Sequence, residues 1–259
     1  MQNPLDMQGR LAVVTGGARG VGAGISRSFL EAGADVAVIG RSAPNTPVSA
    51  GGREAVFFAA DVRDPEQLTA AFTAIVERFG RIDVLVNNAG GSPPSEAATA
   101  SPRFAESIIR LNLLAPLNAA QCANRVMQQQ ADGGTIINIA SVSAIRPSPG
   151  TAAYGAAKAG LVNITASLAV EWAPKVRVVA VISGLVDTEQ SHLYYGDAEG
   201  VAAVGRTIPL GRMAVPADIG QVCLFLASPM ASYVSGSALT VHGGGEAPAF
   251  LAASNATAR

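Results

Sequence analysis

The sequence predicts a doubly wound α/β fold, one parallel sheet covered by helices on both faces. Short apolar runs rich in β-branched residues alternate along the chain with longer segments of helical period. Most of these runs are apolar throughout, as strands buried on both faces must be. The first and fourth runs end in clusters of glycine and small polar residues, at the edge where ligands of open α/β sheets bind.

Leu11 to Thr15 is the first strand, and Gly16-Gly17-Ala18-Arg19-Gly20-Val21-Gly22 follows it before a helical pattern that runs through Leu30. Glycines at a strand-to-helix junction let backbone N–H groups approach a pyrophosphate, and the helix N-terminus adds partial positive charge. A plain glycine turn is the structural alternative. Asp35 to Ile39 is the second strand and ends at Gly40-Arg41. Arg41 to Arg53 holds Pro44, Pro47 and a Gly-Gly pair, too broken for a helix. This crossover is predicted to be a loop.

Ala55 to Ala60 gives the third strand, ending at Asp61-Val62, and Asp64-Pro65 opens a helix through Phe79 with Asp as N-cap and Pro in its first turn. Val84 to Val86 is the fourth strand, ending in Asn87-Asn88-Ala89-Gly90. Such clusters are also ordinary turn chemistry. Ser101-Pro102 begins a long helix to about Gln130 with Asn112 at its middle, where a poor helix former would by default lie on the surface. Thr135 to Ala140 is the fifth strand and delivers Ser141 to the same sheet edge. Thr151 to Trp172 is the next helix, Val176 to Ile182 the sixth strand, Pro216 to Ser228 a further helix and Ala238 to His242 the last strand. The architecture is Rossmann-like, a single domain over residues 1–259.

Composition narrows the function. The net charge is −1 and the pI about 6.1, which gives no general attraction to nucleic acid or acidic lipid. No apolar run reaches the length of a membrane span. Cys122 and Cys223 are isolated, which predicts a reducing, cytoplasmic setting without disulfides. His192 and His242 offer no metal-ligand spacing, and no metal is expected.

The chemistry concentrates in Ser141 to Lys158. Tyr154 and Lys158 are four residues apart and share a helical face. With four tyrosines and two lysines in the chain, a chance pairing at this spacing has odds of about 0.03. An ammonium within about 4 to 6 Å typically lowers a phenol's pKa, which would let Tyr154 exchange protons near neutrality. A surface tyrosine beside a snorkelling lysine is the alternative.

Taken together, T-G-G-A-R-G-V-G at 15 to 22, N-N-A-G at 87 to 90, Asn112, Ser141 and Y-G-A-A-K at 154 to 158 resemble the short-chain dehydrogenase/reductase family over about residues 8 to 245. The resemblance implies a seven-stranded sheet and a nicotinamide cofactor. It casts Tyr154 as general acid or base and Lys158 as its pKa modulator and ribose ligand. Ser141 would polarise the substrate oxygen, and Asn112 would hold a water of the proton relay. Cofactor contacts are implied at Gly16, Ala18, Arg19, Gly20 and Val21, at Arg41, Asp61 and Val62, at Asn88, Ala89 and Gly90, at Tyr154 and Lys158, and at Gly184, Val186 and Thr188. Ser183-Gly184 replaces the family's usual Pro-Gly, which relaxes a φ constraint beside the nicotinamide.

NADP(H) is expected in preference to NAD(H), with NAD(H) possible. Gly40 stands where an NAD-type site carries an acid, Arg41 follows it, and similar proteins bring a second guanidinium from the position of Arg19. Charge-assisted bonds of roughly 1.5 to 3 kcal/mol each would give about 10- to 10⁴-fold preference. Both arginines could instead be ordinary surface charges. Residues 188–215 are expected to form a substrate lid, with Ser92 to Ala98, Ile145 to Gly150 and Leu185 to Met213 around the pocket. Leu193, Tyr194, Tyr195 and Ile208 would make that pocket apolar.

The substrate is expected to be a small-molecule carbonyl or alcohol. The pattern looks most like 3-oxoacyl thioester reductases; a steroid-type hydroxyl dehydrogenase using NAD and a non-catalytic nucleotide sensor are the alternatives. The resemblance also implies a homotetramer, paired through Thr151 to Trp172 and Pro216 to His242. The tail 246–259, with Pro248, Phe250 and Leu251, would dock on a neighbour.

Overall fold

The computed structural model describes residues 3–253, without the side chains of Leu251 and Ala252. The expected docking of Leu251 and of the tail beyond Ala253 therefore falls outside the described residues.

Seven strands form one parallel sheet in the order β5-β2-β1-β6-β7-β8-β9: β1 (Leu11–Thr15), β2 (Asp35–Gly40), β5 (Val56–Ala59), β6 (Val84–Asn87), β7 (Gly134–Ser141), β8 (Val176–Ser183) and β9 (Ala238–Val241). The remaining two, β3 (Ser49–Ala50) and β4 (Arg53–Glu54), make a small antiparallel hairpin inside the β2–β5 crossover. The connection reverses direction between β1 and β6, so a crevice opens at their carboxyl ends.

Alternation along β1 explains the two-sided core. Ala12 and Val14 face Ile25 and Phe29 of α1 (Gly20–Glu31) and Ile219 and Leu224 of α8 (Pro216–Ala227). Leu11 and Val13 face Leu68 and Phe72 of α2 (Pro65–Phe79), Ala119 and Ala123 of α4 (Ala115–Met127) and Leu168 of α5 (Ala152–Glu171). Gly24 and Gly220 allow α1 and α8 to pack this closely, because a Cβ on Gly24 would strike Pro216 and one on Gly220 would strike Ser28. Asp64 caps α2 as its sequence predicts, accepting from the N–H groups of Glu66 and Gln67 at 3.0 and 3.2 Å.

Two local features go beyond what the sequence predicts. The long helix from Pro102 is α3 (Pro102–Ile109), a π turn at Arg110–Leu114 and then α4. The segment 188–215, expected as a lid and assigned no helix from the sequence, contains α6 (His192–Tyr195) and α7 (Ala198–Arg206), the latter capped by Asp197, which accepts from Gly200 N at 3.0 Å. The crossover after β2 lacks a helix as predicted. Between that loop and the sheet lies a cavity of about 280 Å³ lined by Ala18, Pro44, Pro47 and Phe57 among others.

Candidate active site

Each candidate proton-handling residue comes from an element that ends at the crevice. Ser141 is the last residue of β7 and is extended, paired in register with Ser183 at the end of β8. Its Oγ accepts from Ser143 N at 3.2 Å, and its hydroxyl proton can be donated toward the Tyr154 oxygen or a substrate oxygen. Tyr154 and Lys158 lie one turn apart in the first half of α5. Lys158 is 3% exposed, its Nζ 5.7 Å from the centre of the Tyr154 ring, and it donates to the Ile139 carbonyl at 2.8 Å.

Electrostatics here departs from the simple expectation of a lysine lowering a phenol. Burial pushes the Tyr154 phenol up from the ordinary tyrosine range, opposed by the Ser141 hydroxyl and reinforced by Tyr194. Burial also pushes the Lys158 ammonium down to about 8. Desolvation is the largest cause of the shift in both groups. Tyr154 therefore stands protonated near neutrality, a form suited to giving a proton to a developing alkoxide.

Asn112 is fully buried, so the default of a surface asparagine does not hold. Its Oδ1 accepts from Gly91 N at 2.9 Å, and its Nδ2 donates to the carbonyls of Gly91 and Ile108 at 2.9 and 3.0 Å. The π turn places this side chain beneath the loop after β6; such turns recur at functional sites. Gly90 lies between the two groups: a Cβ there would stand 2.7 Å from Asn112 Oδ1 and 3.2 Å from Lys158 Nζ.

Across the crevice, the glycine loop is tied to the loop after β6 by Thr15. Its Oγ1 accepts from the N–H groups of Asn88 and Ala89, each at 3.0 Å, and Asn88 Nδ2 donates to the carbonyls of Thr15 and Gly16 at 3.0 and 3.3 Å. Gly16 has φ +65°, and a Cβ on it would lie 3.2 Å from Ala89 Cα, so the close approach needs glycine. Helix α1 starts at Gly20 without a side-chain cap or an acid in its first turn, and its N–H groups face the crevice as anion donors. Gly20 N already donates to an anion, the Glu189 carboxylate, at 2.9 Å. The donor set thus fits a phosphate.

At the far end of the loop, Arg19 and Arg41 are exposed and form no ion pair among the described residues, whereas Asp61 is paired with Arg63 at 2.6 Å. That bond and the nearby Arg41 charge hold the Asp61 carboxyl below the usual range against its partial burial. Val62 is buried and packs beneath α2. Gly40 is the last residue of β2, and a Cβ on it would lie 3.3 Å from the Phe57 ring.

The segment after β8 closes on itself at its base, where Asp187 N donates to Ala214 O at 2.8 Å and Ala214 N donates to Leu185 O at 3.0 Å, with Val186 and Ala214 bridged. Gly184 approaches the backbone of His242, which a Cβ would meet at 2.8 Å. Within the segment Leu193 and Tyr194 are exposed and Tyr195 is half-buried. Ile208 is buried against Gly243 rather than presented to the crevice, which removes one of the expected pocket residues.

Sequence reasoning passed over Thr15 and Glu189. A threonine closing the strand before a glycine loop is a readable signal for the first. Nothing local marks the second.

A glycine-rich anion cradle facing a serine, tyrosine and lysine across one crevice defines a class, the nucleotide-dependent α/β oxidoreductases. A family model described as Enoyl-(Acyl carrier protein) reductase matches residues 16–246. The 3-oxoacyl-[acyl-carrier-protein] reductase of Chlamydia trachomatis is 34% identical over 242 residues, covering 91% of this chain and 96% of the relative. A 3alpha-hydroxysteroid dehydrogenase of Mediterraneibacter gnavus is 34% identical over 253 residues, covering 92% and 97%. The ligand-free structure of Thermoplasma acidophilum aldohexose dehydrogenase superposes with a TM-score of 0.86 at 29% identity, covering 92% of this chain and 94% of that one. This chain belongs to the short-chain dehydrogenase/reductase family. It is an oxidoreductase of a family that uses NAD(P).

Proposed function

We propose that this protein interconverts a ketone and a secondary alcohol with NADP(H), acting on a 3-oxoacyl thioester or a related apolar carbonyl compound. One observation carries the reading: Ser141, Tyr154 and Lys158 come from the ends of β7 and α5 to the crevice whose other wall is the glycine loop. The nicotinamide, when bound, supplies or accepts the hydride. Tyr154 gives its phenolic proton to the substrate oxygen in reduction and accepts it in oxidation. Ser141 donates a hydrogen bond to the same oxygen and offsets its developing charge. Lys158 supports Tyr154 and would hold the nicotinamide ribose, Asn112 fixes the loop below, and the backbone of Gly16, Ala18, Gly20 and Val21 would hold the pyrophosphate. Asn88, Ala89 and Gly90, with Gly184, Val186 and Thr188, would line the nicotinamide half, and Asp61 and Val62 the adenine. Residues 188–215 serve as the lid.

The assembly is read as a homotetramer. Helix α5 exposes Val170, 81% accessible, and the edge strand β9 exposes Leu239, apolar surface that a subunit contact would cover. Two buried free cysteines suit a reducing cytoplasm. The likeness to a hydroxysteroid dehydrogenase supports a second substrate reading, a steroid-type alcohol with NAD.

Steady-state turnover with a 3-oxoacyl thioester, a 3-ketosteroid and an aldohexose, each with both cofactors, tests the substrate. The highest kcat/KM is expected on the thioester, and a clear preference for the sugar would overturn the reading. Tyr154→Phe is expected to lower kcat at least about 10²-fold while NADPH affinity stays near wild type. Retention of a tenth of the rate would remove Tyr154 from the role.

A further inference from the structure

Glu189 Oε1 accepts from the backbone N–H of Gly20 at 2.9 Å, across 169 residues of sequence. That N–H opens α1, a helix with no cap of its own, so the carboxylate satisfies an otherwise orphaned donor and meets the positive end of the helix. Thr188 and Glu189 both lie over the loop, their side chains 3.8 and 3.9 Å from where a Cβ on Gly20 would stand. The turn that carries them is held by its own bonds, Thr188 N to Ser191 Oγ at 2.8 Å and Gln190 N to Thr188 Oγ1 at 3.3 Å. The Glu189 residue is exposed, so a rotamer change alone can carry its carboxylate off the loop.

We propose that Glu189 is an intramolecular competitor for the cofactor: its carboxylate occupies the Gly20 N–H and is displaced when a pyrophosphate takes that donor. The proposal rests on the dinucleotide reading of the glycine loop. A single N–H does not serve two anions well, and a carboxylate left beside a pyrophosphate repels it. The apparent affinity is then the intrinsic one reduced by the fraction of molecules in which Glu189 is off the loop. Glu189 sits just beyond the Val186–Ala214 bridge at the base of that segment, so its release removes one tie between residues 188–215 and the glycine loop.

The test measures Kd for NADPH and NADH, by nucleotide fluorescence, in the full-length wild type, Glu189→Gln and Glu189→Ala. Adenosine 2′-monophosphate, which lacks the pyrophosphate, is measured alongside by calorimetry. Both variants are expected to bind the dinucleotides roughly 3- to 10-fold more tightly, with Glu189→Ala the tighter because glutamine still offers an acceptor. The monophosphate is expected to bind all three proteins alike. Unchanged or weaker dinucleotide binding in both variants would overturn the competitor while leaving the cofactor reading intact. An equal gain for the monophosphate would also overturn it, since that marks a general charge effect. Failure of every form to bind either dinucleotide would overturn the cofactor reading itself.

Discussion

Lys158 Nζ donates to the carbonyl of Ile139 at 2.8 Å, and this bond holds the ammonium at the carboxyl end of β7. The strand therefore presents a fixed cation to the crevice, while Tyr154, one turn earlier on α5, keeps its own proton. The arrangement has a cost, because an ammonium taken from water must be repaid by hydrogen bonds or by loss of its charge.

That cost predicts a pH-dependent stability. Burial lowers the folded-state pKa of Lys158 from 10.5 to about 8. Between those values the unfolded chain holds the proton and the folded chain has released it, so stability rises with pH across the window and the burial penalty is complete below it. The shift corresponds to up to about 3 kcal/mol. In urea titrations, wild type is expected to gain on Lys158→Met by up to that amount from pH 7.5 to 10.5. A difference that stays flat across the range would show that the ammonium is not desolvated.

Gly90 predicts a second outcome. A methyl group there would stand 2.7 Å from Asn112 Oδ1, and that oxygen cannot retreat because Gly91 N holds it from one side while the amide is bonded twice on the other. Gly90→Ala is expected to cost about 1 to 3 kcal/mol, lowering Tm by roughly 3 to 10 °C. Turnover should fall further than stability explains, since the same methyl crowds Lys158 Nζ. Thermal melts and kcat on the purified variant check both, and wild-type values would mean that the loop moves freely.

The parts of this site that could be read in the sequence are those written within one stretch of chain. The glycine loop, the Asn-Asn-Ala-Gly cluster and the Tyr154–Lys158 pair each declare strand, turn and helix in a few consecutive residues, and the parallel order follows from apolar runs without alternation. Asp197 followed by Ala-Glu was also a readable helix start; the many glycines and tyrosines around it hid α7. The π turn at Asn112 was not legible, and the clamp that Asn112 makes on Gly91 joins residues far apart in sequence and exists only after folding. The same holds for the buried chain in which Asn87 Nδ2 donates to Asn138 Oδ1 and Asn138 Nδ2 to Thr165 Oγ1, both at 2.9 Å, joining β6, β7 and α5. The direction of the Tyr154 shift was missed for a related reason. Spacing on a helix reveals a neighbouring charge and says nothing of the depth at which both groups are buried.

The proposed preference for NADP(H) is tested at the end of β2. Gly40 leaves no carboxylate to repel a 2′-phosphate, and the Phe57 edge, 3.3 Å from the position of a Cβ, resists the introduction of one. Arg41 and Arg19 carry guanidinium groups without ion-pair partners among the described residues, and such groups bind phosphate through paired charge-assisted bonds. Wild type is expected to favour NADPH over NADH in kcat/KM. Arg41→Ala is expected to reduce that preference roughly 10-fold or more, at about 1.5 to 3 kcal/mol for a lost charge-assisted bond. Gly40→Asp should weaken NADPH through repulsion but gain little with NADH, because its side chain must first displace the Phe57 ring; Gly40→Asp with Phe57→Ala should gain more. A wild-type preference for NADH, or selectivity unchanged in Arg41→Ala, would place the discrimination elsewhere and return Arg41 to an ordinary surface charge.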